Sequence, residues 1–317
     1  MNGDRLLFAA MCLIWGMTWI AIKVGVEAVP PVFFAGSRFV AAGLLMLAWR
    51  RLRGGPIALP GRDWPRQVLL ATLMIAATYG FLFWGMKHVA SGLSAVINLA
   101  LIPIALLAIG LAYGAERYSH RRAASVVLGA IGLVVLFEPA GVGPSDPLER
   151  WGMAAVVAGT LAYCWGSVLS RPLVQAHGPL QISGLATLIG GTMLIALALV
   201  IEPVDQGLLA AYARPEVLAG WLFLVLFGSL VAFTIYMRLL RDWGPLGAGM
   251  YAFVSPVIAV ALGSLVFAET FGPVEALGSL LMLGAAGLAL TRTATTSART
   301  GPSSRSGCVA ARRRGCR

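Results

Sequence analysis

The stretch INLALIPIALLAIGLAYGAE, residues 97–116, holds a proline, Pro103, inside an apolar run long enough to be a helix. Proline in a helix interior removes one backbone hydrogen bond and clashes with the carbonyl four residues back, here that of Leu99. The arrangement recurs in YAFVSPVIAVALGSLVFAE, residues 251–269, where Pro256 lies 153 residues after Pro103 and faces the carbonyl of Ala252 in the same way. At that spacing Gly110 meets Gly263 and Glu116 meets Glu269. Three matches in one register point to a duplicated unit.

The match extends outward. Trp15-Gly16 corresponds to Trp165-Gly166, Pro31 and Gly36 to Pro179 and Gly184, and Met86-Lys87 to Met237-Arg238. Leu128-Gly129-Ala130 and Gly132 correspond to Leu283-Gly284-Ala285 and Gly287. The offset drifts from 148 to 155, as loop insertions allow. Each match alone is weak; their order along five successive apolar segments carries the reading.

Of 317 residues, 59% are hydrophobic and 12% charged, with a mean hydropathy of +0.84. A water-soluble domain needs more polar surface. About 20 apolar residues span a hydrocarbon core as a helix. The sequence predicts ten spans: 6–26, 32–49, 67–86, 92–113, 123–137, 152–169, 180–201, 217–237, 246–268 and 273–291. The fifth is the shortest. Barrel strands would alternate apolar and polar residues, and these segments do not. The first span resembles a signal peptide only in passing, since no small-residue cleavage site stands out and nine spans follow. The fold class is therefore all-α integral membrane, ten transmembrane helices in two five-helix repeats, 6–137 and 152–291. A Ser/Thr/Arg/Gly-rich tail, 292–317, follows without apolar periodicity and reads as disordered and basic, suited to anionic lipid headgroups.

The net charge of +11 suggests nucleic acid until it is mapped. With the N-terminus in the cytoplasm and ten crossings, inner segments hold 19 of the 24 Lys and Arg, and outer segments three: Lys87, Arg150 and Arg214. Without the tail the score is 12 against 3. This bias is the positive-inside rule; it places both termini inside and leaves no nucleic-acid surface to explain. The four cysteines and three histidines are scattered, so neither a disulfide framework nor a metal site is expected, and no cofactor is implied. No phosphate-binding loop of the type G-x-x-x-x-G-K-[ST] occurs, so ATP does not drive the protein directly.

A repeat with an odd number of crossings inserts its second copy upside down. Inverted repeats are a signature of secondary transporters, whose site lies near the midplane between the repeats. Here the chain resembles the EamA-type branch of the drug/metabolite transporter superfamily. The resemblance rests on WGMTW (15–19), RFVAAGLLML (38–47), SGLSAVINLALIPI with Glu116, and GPLGAGMYAFVSPVIAV with Glu269. It covers about residues 6–291. It implies ten helices in two inverted five-helix repeats, residence in a bacterial inner membrane, and export of small molecules. It is similar to bacterial exporters of amino acids, including the aromatic amino acid and paraquat type.

Candidate cargo-handling residues follow from helical facing. Ser91, Ser94 and Asn98 share one face of span four, and Tyr251 and Ser255 lie on the corresponding face of span nine. A side-chain amide in hydrocarbon needs a partner, either a watery cavity or a neighbouring helix. Trp15, Thr18 and Trp19 share a face of span one. Trp15 lies roughly 14 Å along its helix, too deep for an interfacial anchor. Tyr163 and Trp165 in span six and Tyr79 and Phe83 in span three complete the set; an aromatic stripe in a bundle is also what plain packing produces. Pro103 and Pro256 are candidates for kinks that line and gate the path. Lys23 sits near a span end and can snorkel to water. Arg38 is deeper, about 9–10 Å below Pro31, while its counterpart is Ala186. It either pairs with Glu27 or helix carbonyls, or it meets a carboxylate of the cargo or forms part of an outer gate.

Aromatics among small polar groups suit a moderately hydrophobic cargo, either an amino acid with a large side chain or a flat drug-like cation. The one Asp or Glu within a span is Glu275, in the first turn of the last, and none lies deeper, which favours facilitated flow or exchange over proton antiport. An enzyme would need a catalytic constellation inside the bundle, and none appears. A non-transporting receptor or structural protein is the alternative of another class. Gly129/Gly132 and Gly284/Gly287 suit close helix packing within the chain or in a homodimer.

Overall fold

The computed structural model describes residues 2–89, 91–137, 147–203, 207–267 and 272–290. Glu269 and the tail 292–317 lie outside these, as does the side chain of Trp19. Among the described residues there is no strand. Ten rods make the bundle: α1 (Asn2–Ala28), α2 (Pro31–Leu52), α3 (Gly61–Met86), α4 (Ser91–Ala112) and α5 (His120–Phe137) form the first half. α6 (Pro147–His177), α7 (Pro179–Ile201), α8 (Pro215–Trp243), α9 (Pro245–Gly249 continued by Tyr251–Phe267) and α10 (Pro273–Leu290) form the second.

Local chemistry sets the ends. Six rods begin at a proline, whose missing N–H costs nothing in the first turn. The reversals before α7 and α9 turn on Gly178 and Gly244, both at φ +86°, which a residue without Cβ adopts freely. Apolar content marks only the membrane-buried part of a rod, so several rods run past the expected spans, α3 from Gly61 and α8 to Trp243 among them. α6 runs from 147 to 177 instead of 152–169, and it passes through Pro172 without ending. α5 starts at His120 and so reaches 18 residues, about 27 Å, enough to cross. Its first turn carries Arg121 and Arg122, which dilute its apolar signal. The other nine are long and apolar enough by composition alone.

The contacts obey a two-fold exchange of the halves. α1 packs on α8 and α9, and its counterpart α6 packs on α3 and α4; α2 packs on α7, and α5 on α10. At α2–α7 the glycines make the contact. A methyl group on Gly43 would sit 2.6 Å from the Leu188 amide nitrogen, and one on Gly191 would sit 2.8 Å from that of Val40. Gly43 and Gly191 share the 148-residue offset of Gly36 and Gly184, so the crossing is formed by one position used twice. Two matched cross-links repeat the pattern: Ser255 Oγ donates to the Cys12 carbonyl (3.2 Å), and Cys164 Sγ to that of Ile102 (3.6 Å). Such exchange is what two inverted copies of one five-helix unit produce.

α3 and α8, also counterparts, each contain a π-helical stretch, Thr72–Ala77 and Leu224–Ala232. An extra residue per turn leaves carbonyls outside the regular ladder. Side chains take them up. Thr78 Oγ1 donates to the Leu73 carbonyl (2.7 Å), and Trp15 Nε1 to that of Gly228 (3.1 Å). Of the glycine pairs, Gly129 lies against the Phe253 ring and Gly132 against Gly278 and Met282, so both serve packing within the chain. A methyl on Gly284 or Gly287 would meet nothing.

Candidate solute site

One end of the bundle carries Arg5, Arg50, Arg51, Arg117, Arg121, Arg171 and Arg238 and is called the basic end; the other is the far end. About 9–14 Å above the basic end, by helical rise, four rings from four helices meet. Trp15 of α1 stands edge-on to Tyr251 of α9, with centroids 4.3 Å apart. Tyr236 of α8 lies 5.6 Å from Trp15, 5.8 Å from Tyr163 of α6 and 5.9 Å from Tyr251. The Tyr251 hydroxyl donates to that of Tyr163 (3.3 Å), and Tyr236 donates to Ser167 Oγ (3.0 Å). Tyr236 is fully enclosed, whereas Trp15, Tyr163 and Tyr251 are half-buried. These rings form a floor whose upper edges are open.

Above it, about 10 Å from the far end, lies a second layer. Tyr79 of α3 is edge-on to Phe39 of α2 (4.9 Å) and 5.8 Å from Phe83. The Arg38 guanidinium lies over the Phe39 ring at 4.6 Å and the Tyr79 ring at 5.3 Å, a cation–π arrangement. Asn98 of α4 is half-buried, and no hydrogen bond to a described residue holds its amide.

At the basic end below the floor α4 and α9 are tied together, beside a cleft of about 760 Å³ lined by Asp4, Arg5, Phe8, Arg122, Trp243 and Leu246. A methyl on Gly249 of α9 would sit 2.2 Å from Leu106 Cδ1 of α4, so the two backbones are as close as glycine allows. Glu116, just after α4, accepts from the Leu246 amide at the start of α9 (3.0 Å) and from Arg122 Nη1. A carboxylate is favoured there by the unpaired amides of a helix start. Arg171 Nη1 donates to the Ala115 carbonyl (2.8 Å), Arg238 pairs with Asp4 (3.0 Å), and Phe8 meets Trp243 at 5.5 Å. At the far end the buried Glu202 accepts from the amides of Val32 and Phe33, both at 2.9 Å, and so caps α2. That tie joins α7 to α2.

The asymmetry is measurable residue by residue. Leu246, Ala248 and Met250 are buried; their counterparts Leu93, Ala95 and Ile97 are half-exposed. Ala105, Leu106 and Leu107 are buried; their counterparts Ile258, Ala259 and Val260 are half-exposed. Equivalent positions of α4 and α9 are thus more buried at the basic end than toward the far end.

The structure places Trp15, Tyr163 and Tyr251 in one layer and Tyr79, Phe83 and Arg38 in the next, with Asn98 half-buried on α4. It places others elsewhere. Trp165 is 46% exposed on the outer surface, with Nε1 donating to the Tyr113 hydroxyl (3.0 Å). Two residues along an α-helix are about 200° apart, so Tyr163 and Trp165 cannot both face inward. Ser255 is buried by its bond to Cys12, and the Thr18 hydroxyl returns to its own helix at the Trp15 carbonyl (2.6 Å). Ser94 is enclosed, with its hydroxyl unpartnered. Pro103 and Pro256 are buried inside continuous helical segments; the interruption in α9 falls at Met250 instead. Arg38 makes no ion pair with Glu27. Sequence reasoning missed Tyr236, Phe39 and Glu202. A Tyr within an apolar span was a usable signal for the first; Phe39 and Glu202 offered none.

Two inverted five-helix units packed around polar and aromatic layers have the build of a multi-pass membrane transporter. The chain belongs to the EamA-like transporter family, whose model matches it twice, over residues 5–138 and 150–291. It is similar to the uncharacterized inner membrane transporter YedA of Escherichia coli K12, 31% identical over 277 residues that cover 84% of this chain and 83% of that one. It is also similar to Protein PecM of Dickeya dadantii, 25% identical, covering 88% and 89%. A solved crystal structure superposes with a TM-score of 0.78 at 20% identity, over 92% of this chain and 97% of the other; at that identity the likeness speaks to fold alone.

Proposed function

We propose that the protein exports amino acids or related small metabolites across a bacterial inner membrane by alternating access through the central hollow. The observation that carries this reading is the asymmetry of α4 and α9. Counterpart surfaces are buried at one end and half-exposed at the other. Exchanging the conformations of the two halves opens the basic end and closes the far end around the same aromatic layers.

The positive-inside rule sets the basic end in the cytoplasm, with both termini there. Cargo meets Asn98 and the edges of Trp15, Tyr79, Phe83, Tyr163 and Tyr251, a mixture suited to a moderately apolar molecule with a polar head. Flow is by facilitated diffusion or exchange. Glu116, the carboxylate just after α4, is already engaged by Arg122 and the Leu246 amide. Efflux of organic cations such as paraquat is the second reading, and the cationic Arg38 beside the hollow weighs against it.

The test is counterflow. Purified protein in liposomes preloaded with unlabelled amino acid should accumulate the labelled form. Absence of solute movement across a full amino acid and metabolite panel would return the protein to the receptor or structural class. A pH gradient that drives uphill uptake would replace exchange by proton coupling.

A further inference from the structure

We propose that Arg38 is the cargo-recognition residue and that the site takes solutes bearing a carboxylate on an apolar or aromatic body. The proposal rests on the transport reading above and narrows its substrate class.

Arg38 is 4% exposed at roughly a third of the bundle's depth. All ion pairs of the described residues lie elsewhere. Glu202, the other buried acid of the far half, is spent on the amides of Val32 and Phe33. Arg38 Nε is fully enclosed and has no hydrogen-bond acceptor. The guanidinium lies over the Phe39 and Tyr79 rings, and its hydrogen-bonding neighbour is the uncharged Tyr79 side chain, so no counter-charge meets it. A buried charge without a counter-charge is strongly unfavourable, and more so within a membrane. The fold does not require it, because the counterpart position on α7 is the fully buried Ala186. A planar fork with an unpartnered Nε and no counter-charge, held by two rings, matches a carboxylate in two-point geometry. A carboxylate seated there projects its body toward Phe83 and the floor of Trp15, Tyr163 and Tyr251. A lone cation finds no described acid in this hollow and is repelled by Arg38.

Thermal unfolding of the purified full-length protein, with added ligand, tests this apart from transport. Matched pairs serve as probes: phenylacetate against phenylacetamide, and L-phenylalanine against L-phenylalaninamide, with paraquat as the cation. The wild type should be stabilised by the carboxylate member at about tenfold or more lower concentration than by the amide, the scale of a charge-assisted hydrogen-bond pair. Arg38→Gln should bring the two members within about twofold of each other, and Arg38→Lys should keep an intermediate preference because it retains charge but not the fork. Equal response of the wild type to acid and amide, no response to either acid at millimolar concentration, or preference retained in Arg38→Gln would each overturn the proposal. If Arg38→Gln does not fold, the wild-type comparison decides alone. A carboxylate preference in a protein that fails counterflow would sink the transport reading and leave the site; counterflow without such a preference would do the reverse.

Discussion

Glu116→Gln tests the seal at the basic end. The Glu116 side chain is 4% exposed; one oxygen serves the Leu246 amide and the other Arg122. The amide keeps an acceptor for Leu246 and removes the charge that Arg122 and the start of α9 both favour. Hydrogen bonds to charged groups contribute roughly 1.5–3 kcal/mol. Arg122 is 36% exposed, so solvent screening selects the low end of that range, about 1.5 kcal/mol. The contact spans α4 and α9 and exists only while the basic end is closed. Its loss therefore shifts the closed-to-open ratio about tenfold toward open. The reporter is Ala248→Cys, a small substitution at a buried seam position, in a chain with Cys308 and Cys316 changed to Ser; Cys12 and Cys164 are buried. A membrane-impermeant maleimide applied from the basic side should label this cysteine about tenfold faster with Glu116→Gln. Arg122→Gln should raise the rate as well. A labelling rate unchanged within about twofold in folded Glu116→Gln protein would refute the reasoning, since a seal that does not depend on this carboxylate is not held by it.

Other outcomes follow from the same geometry. Tyr251→Phe should lower counterflow several-fold by removing the Tyr163 contact at the floor, while Trp165→Ala leaves it within about twofold; equal effects would mean that the aromatic floor is not where cargo sits. Gly43→Ala puts a methyl against the backbone of α7, which cannot yield, and should cost about 1–3 kcal/mol in thermal unfolding, whereas Gly284→Ala costs nothing measurable. Glu202→Gln should destabilise by about 1 kcal/mol, because two amides at the start of α2 then share one weaker acceptor. An unchanged melting temperature would mean that water takes its place.

How much was legible depended on which force wrote the feature. Spans and orientation come from hydrophobicity and charge, which act residue by residue, so 12 basic residues against 3 suffice without any contact information. The repeat was visible because Pro103 and Pro256, or Gly36 and Gly184, meet backbone constraints that few residues satisfy. Facing was harder. Trp15 and Trp165 match in sequence, yet one lies over the floor and the other points outward, because a match fixes a position along a helix and leaves its rotation to packing. Hydroxyls misled for a related reason: Thr18 and Ser255 look free in a sequence, and the nearest carbonyl takes them. The π stretches in α3 and α8 have no residue signature, since they arise where two neighbours demand different faces of one rod.

The exchange of contacts between the halves has a thermodynamic corollary. A molecule assembled from two identical inverted copies would rest open to either side with equal probability, for every bond made in one posture would be remade in the other. Any resting preference is therefore confined to positions where the copies have diverged, such as Met250 against Ile97 and Arg38 against Ala186. Making the copies more alike at those positions should erase the bias and leave the traffic direction to the solute gradient alone.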